Sequence, residues 1–165
     1  MNLSRTAIAC IFFLSTAVSA QRATDNPDWK EIDAPPPAAV NFDKLVIFPV
    51  SVASAMVFGV DPDSIRISPE DNVVRYVVVA TSPSGARNVF YEGIRCGTGE
   101  VKNYARYSGE GRWVLATRPE WKSLYAGSPS QHSLRLAQAG GCMNAASPIS
   151  VDSMVRQLRK SQAGS

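Results

Sequence analysis

The sequence predicts an α+β domain: a curved antiparallel β-sheet, built as a meander, with one or two helices near the C-terminus. Three observations lead there. Short β-branched and aromatic runs separated by Gly, Pro and Ser turns fill the chain from Lys44 to Ala116. One of them, "VVRYVVVA" (73–80), is apolar on both faces and reads as a central strand. Near the end, Val151, Met154, Val155 and Leu158 fall at i, i+3, i+4 and i+7, the spacing of an amphipathic helix.

Each element has its own warrant. "LVIFPV" (45–50) is a strand whose Pro49 marks an edge or a bulge. "DPDS" (61–64) reads as a turn, because proline presets φ and aspartates bond nearby backbone N–H groups. "SIRI" follows as a short strand, and "SPEDN" turns the chain into the central one. "SPSG" (82–85) leads to "ARNVFYEGIRC", then "EVKNYARY", "SGEG" and "RWVLA". "SLRLAQAGGC" predicts a short helix ending at Gly140-Gly141. In the last helix Asp152 sits in the first turn and Arg159-Lys160 in the last, both matched to the helix dipole.

Three segments are expected. Residues 1–20 carry Arg5, an apolar run from Ala7 to Leu14, and Val18-Ser19-Ala20 before Gln21, the layout of a secretory signal peptide. The apolar run falls short of the ~20 residues that span a bilayer. Cys10 lies inside it and Gln21 follows the cleavage point, which is not the arrangement of a lipid anchor. Residues 21–43 form a polar, Pro-rich lead-in, with "APPPAA" extended. Residues 44–165 form a single domain, and no segment after the leader is long and apolar enough to cross a membrane. The expected location is the periplasm or the extracellular space.

The formal net charge of +3 comes with no basic block, so nucleic acid is not an expected partner. Arg156, Arg159 and Lys160 read as a solvated helix end. Outside the leader there are two cysteines, Cys96 and Cys142. In an exported chain such a pair predicts one disulfide. His132 is the only histidine and neither cysteine has a partner at metal-ligand spacing, so no metal site is expected. No phosphate loop, dinucleotide fingerprint or serine-nucleophile elbow appears, and no cofactor is expected.

The segment "NVFYEGIRCGTGEVKNYAR" (88–106) concentrates the candidate site residues. On a strand Phe90, Glu92, Ile94 and Cys96 share one face, and Tyr91, Gly93 and Arg95 the other. If the first face is the core, Glu92 is buried and needs a partner, for which Arg75 on the neighbouring strand is the candidate. Arg75, Glu92, Arg95 and Glu100 are therefore either structural ion-pair residues or the lining of a polar pocket. A catalytic Cys96 requires a base, and His132 is the one available, although its position fits a surface or capping role. Glu92, Glu100 and Glu110 offer paired carboxylates for hydrolysis. Trp113 and Trp121 are core or rim aromatics, or else an exposed platform for a glycan or peptide.

Several runs taken together, "DWKE" (28–31), "VRYVVVATSPSGARNVFYEGIRC" (74–96), Gly99-Glu100, Tyr104-Ala105 and Trp113, resemble the cryptic-neisserial-protein-like (CNP1-like) domain of exported bacterial proteins. The resemblance implies a place in the cell envelope and carries no catalytic residue onto this chain. The expected function is a non-catalytic envelope module, stabilised by one disulfide, that binds an envelope protein or a small ligand. The alternative is a small envelope hydrolase acting on glycan or peptide through Glu92 and Glu100.

Overall fold

A computed structural model describes residues 27–51, 54–127 and 131–164; the leader read over residues 1–20 lies outside them. Seven strands form one antiparallel sheet: β1 (Val46–Phe48), β2 (Val57–Ile67), β3 (Val73–Thr81), β4 (Arg87–Arg95), β5 (Glu100–Tyr107), β6 (Trp113–Leu115) and β7 (Lys122–Ser123). They pair in chain order from β1 to β6, and β7 joins β5 on the same side as β6. Helix α1 (His132–Leu136) runs into a π-helical turn (Ala137–Gly141), and α2 (Val151–Ala163) closes the chain. The α+β meander with C-terminal helices is the architecture that the sequence predicts.

Tight turns set the register. Around "SPSG", Ser82 N–H donates to Ala86 O and Gly85 N–H to Ser82 O, both at 2.9 Å, so Thr81 pairs with Arg87 and Tyr76 with Glu92. "DPDS" corrects the expectation of a turn: β2 passes straight through it with a bulge between Asp61 and Arg66. Side chains replace the lost ladder bonds there. Ser64 Oγ accepts from Val77 N–H at 2.8 Å and donates to Asp61 O, and Asp61 Oδ1 accepts from Asp63 N–H. The proline and aspartates that mark turns in sequence serve equally well in a bulge.

The period of two along β3 divides the core. Val74, Tyr76, Val78 and Ala80 face the helices, packing with Phe48, Phe58, Leu136, Met154 and Leu158. Val77 and Val79 face the other way, against Val89, Tyr91 and Ala105. That second face is covered by the lead-in. Residues 29–41 form no helix or strand, yet Trp29 Nε1–H donates to Asp71 O (2.8 Å), Trp113 Nε1–H to Pro37 O (2.7 Å) and Asn41 N–H to Asp61 Oδ2 (2.9 Å). Val40 and Phe42 pack on the second core. The lead-in is thus a strap laid across the sheet.

Helix α2 starts at a capping box, with Ser150 Oγ accepting from Ser153 N–H and Ser153 Oγ accepting from Ser150 N–H. Cys96, just beyond β4, is disulfide-bonded to Cys142, just beyond the π turn, with Cα atoms 5.7 Å apart. Closing a loop of 46 residues restricts the unfolded chain by about 4 kcal/mol in the entropic account. In protein lacking residues 1–20 we therefore expect no alkylatable thiol before reduction. A Cys96→Ser/Cys142→Ser variant should lose up to about 4 kcal/mol in denaturant titration; an unchanged midpoint would show that the bond does not brace the fold.

Candidate functional site

Two polar clusters lie within the packed layers, one on each face of the sheet. On the helix face Glu92 is 4% exposed. Its side chain accepts from Tyr76 OH (3.0 Å) and Ser133 Oγ (3.1 Å), and His132 Nε2 lies 2.9 Å from Oε1. The His132 ring stacks on Phe58 (centroids 5.4 Å apart) and on Phe90 (6.2 Å). Burial alone pushes the imidazole pKa down, but the charge and hydrogen bond of Glu92 outweigh it and raise the pKa above its ordinary value. The Tyr76 hydroxyl is pushed well above the usual range, first by burial and then by Glu92.

The connectivity of this cluster decides its chemistry. Ser133 has one hydroxyl proton and gives it to Glu92. It is then not poised to hand that proton to His132, as an activated serine nucleophile must. Glu92 is the hub where three side chains converge, and the cluster fastens α1 to β3 and β4. His132, read from sequence as a surface or capping residue, is a half-buried partner whose side chain is 13% exposed.

On the strap face the centre is Arg75, 1% exposed. It grips Asp71 with both terminal nitrogens (Nη2 to Oδ2 2.5 Å, Nη1 to Oδ1 3.3 Å) and donates to Ile32 O. Asp71 also accepts from Ile32 N–H, so this pair holds the strap by both its polar groups at one residue. Arg75 Nε has no partner among the described residues. Beside it, Glu31 of the strap accepts from Tyr104 OH (2.6 Å), Lys102 Nζ (2.7 Å) and Trp121 Nε1 (3.2 Å). Burial pushes both acids up, and their partners more than reverse it: Arg75 chiefly for Asp71, Lys102 and Tyr104 for Glu31. Both carboxyl pKa values end below the usual range. Gly93 makes room for this packing, since a Cβ there would stand 2.7 Å from the Tyr104 hydroxyl and 2.9 Å from Val73 Cγ1.

Arg95 and Glu100 pair at 3.0 Å, and Thr98 Oγ1 donates to the same Glu100 oxygen. The Arg95 guanidinium lies over the Trp29 ring at 3.8 Å and near Trp121 at 5.6 Å. Trp113 and Trp121, offered by the sequence as surface aromatics, are half-buried and bond the strap through their indole N–H groups. Glu110 pairs with Arg112 in the exposed turn.

Two sequence expectations are corrected here. Arg75 does not pair with Glu92, because it stands opposite Gly93, one residue out of register, and so points to the other face. Nor do Glu92 and Glu100 form a carboxylate pair. Glu92 is under α1, whereas Glu100 joins Arg95 among the tryptophans on the strap side. Cys96 is held in its disulfide, with His132 committed to Glu92. The sequence reading missed Asp71, Lys102 and Ser133 altogether and gave Tyr104 no polar role. Asp71 had a signal, since it precedes Arg75 by four residues across a turn.

Beside the disulfide lies a cleft of about 590 Å³ between the β4–β5 turn and the π turn. Its walls include Thr98, Tyr125, Leu134, Gln138 and Asn144, and among the described residues none that lines it is Asp, Glu, Lys, Arg or His.

These features define a class: a disulfide-braced antiparallel sheet with a helical layer on one face and a docked strap on the other. The model of the CNP1-like family matches residues 24–159, and the chain belongs to that family. The matched region takes in both the strap and most of α2. Comparison with curated proteins and with solved structures finds no match.

Two outcomes follow from the clusters. Asp71→Asn removes one charge of a buried pair and should destabilise the protein by about 3–5 kcal/mol in urea titration; a loss under about 1 kcal/mol would mean that the pair is not what seats the strap. For His132 the folded-state pKa lies above the unfolded value of about 6.5. Its contribution is then complete below that pH and lost as pH rises through the folded pKa. The urea midpoint should fall as pH rises above about 6.5, and His132→Gln should flatten that slope; an equal slope in the variant would refute the assignment.

Proposed function

We propose that the protein is exported and serves in the cell envelope as a non-catalytic binding module. The observation that carries this reading is a contrast of chemistry. Glu92, His132 and Glu100, which the sequence offered for catalysis, are paired with other side chains of the fold, while the cleft of about 590 Å³ beside the disulfide is lined, among the described residues, by uncharged side chains. General acid–base chemistry needs a titratable group within reach of the substrate, and binding does not. The leader pattern of residues 1–20 and the Cys96–Cys142 bond both suit an oxidising compartment outside the cytoplasm. The hydrolase alternative called for Glu92 and Glu100 facing each other across a groove, and they stand back to back.

The test is co-sedimentation of protein lacking residues 1–20 with a washed bacterial envelope fraction. Saturable binding, with no release of reducing sugar ends or free amines into the supernatant, is the expected result. Failure to co-sediment, or release that disappears in Glu100→Gln, would overturn the proposal.

A further inference from the structure

The cleft beside the disulfide has a definite chemical character. Tyr125 is 74% exposed, yet its ring is not loose on the surface. It leans on Gly99, where a Cβ would stand 3.1 Å from ring atom Cε2, and where φ is +66°. Glycine at 99 therefore answers two demands at once: a left-handed turn and room for the edge of an aromatic ring. Leu124 N–H donates to Gly99 O at 2.9 Å and fixes the segment carrying Tyr125 to the turn beneath it. The result is an exposed aromatic ring at the cleft, with one edge set against Gly99.

The rest of the lining selects among ligands. Gln138 and Asn144 bring exposed amides; the Gln138 oxygen already accepts from Arg135 Nη1 at 3.3 Å, which leaves its NH2 group to donate, and Asn144 can donate and accept. Among the described residues no charged side chain lines the cleft, so a charged ligand would give up hydration there without an ionic partner from them. An extended peptide is usually captured by unpaired strand edges. Here both main-chain groups of Gly99 are in use, with its N–H bonded to Arg95 O and its O to Leu124 N–H. What fits is a molecule that is neutral, rich in hydroxyl and amide groups, and apolar on one flat face. A pyranose ring meets that description, since its face of C–H groups can lie on the negative face of an aromatic ring. The volume of about 590 Å³ is ordinary for a ligand site.

We propose that this cleft binds a neutral glycan, with one sugar ring stacked on Tyr125 and its substituents bonded by Gln138 and Asn144. This rests on the binding-module reading above and names its ligand class. The stack is preorganised, because Gly99 and the Cys96–Cys142 bond hold the two walls before any ligand arrives.

The experiment titrates protein lacking residues 1–20 with a β-1,4-linked N-acetylglucosamine tetramer, and separately with a neutral hexapeptide, following backbone amides by NMR. Saturable shifts should appear with the glycan at Gly97–Gly99, Leu124–Tyr125 and Gln138. Tyr125→Ala should weaken binding about tenfold, and Tyr125→Trp should restore it. Tyr125 is exposed, so the variant should keep the native thermal midpoint. The proposal is overturned if the glycan produces no saturable shifts, if the hexapeptide binds in its place, or if Tyr125→Ala binds as well as the parent. Should Tyr125→Ala bind the tetramer normally while the parent still co-sediments with envelopes, the glycan site fails and the binding-module reading stands. If the parent does not co-sediment either, both fail.

Discussion

Eight of the nine residues of β3 are buried, and its alternation sends Arg75 to one face and Tyr76 to the other. A strand covered on both sides cannot leave either group facing water. Each face must bring its own polar partners from elsewhere in the chain, or bear the cost of an unpaired buried group. The helix face answers with Glu92, His132 and Ser133. The strap face answers with Asp71, Glu31 and the backbone of Ile32. Much of the tertiary structure outside the sheet can be read as the means of delivering those partners.

The two closures respond to pH in opposite senses, and this follows from their chemistry. Asp71 and Glu31 are held below their ordinary pKa, so their contribution is present above the usual carboxylate range and fades as acid protonates them. His132 is held above its ordinary pKa, so its contribution fades toward base. The strap is therefore the layer sensitive to acid, and α1 the layer sensitive to alkali. The disulfide is indifferent to both and joins β4 to the end of the π turn, next to the layer that His132 secures.

Much of the fold was legible because its signals are local. Alternation, turn residues and a 3.6-residue period reveal strands, hairpins and α2 without any knowledge of the whole. "DPDS" was not legible, since the same residues suit a turn and a bulge, and only the continued pairing of β2 with β3 distinguishes them. The partner of Glu92 was within reach. Pairing outward from "SPSG" sets Tyr76 against Glu92 and Arg75 against Gly93. The strap network was harder, because Glu31 meets Lys102 and Tyr104 across more than seventy residues with no periodic pattern to announce it. "DWKE" stood out through family resemblance and through its tryptophan, and the structure supplies a physical reason for that run: Trp29 covers Arg95, and Glu31 anchors the strap.

Drawing the ionisable groups inward has a consequence for the outside. Charges committed to holding layers together are not available to a ligand, and the cleft beside the disulfide is left with hydroxyls, amides, an aromatic ring and aliphatic surface. Such a site gains little from long-range attraction and must derive its affinity from fit. Fit is effective when the walls do not have to be ordered at the moment of binding. The cleft has one wall on the β4–β5 turn and the other on the π turn, and Cys96–Cys142 ties these together covalently. The bond that restricts the unfolded chain thus also keeps the two walls of the proposed glycan site in register. On that reading the conspicuous segment around Cys96 is both brace and binding wall, and the two roles are one mechanical fact.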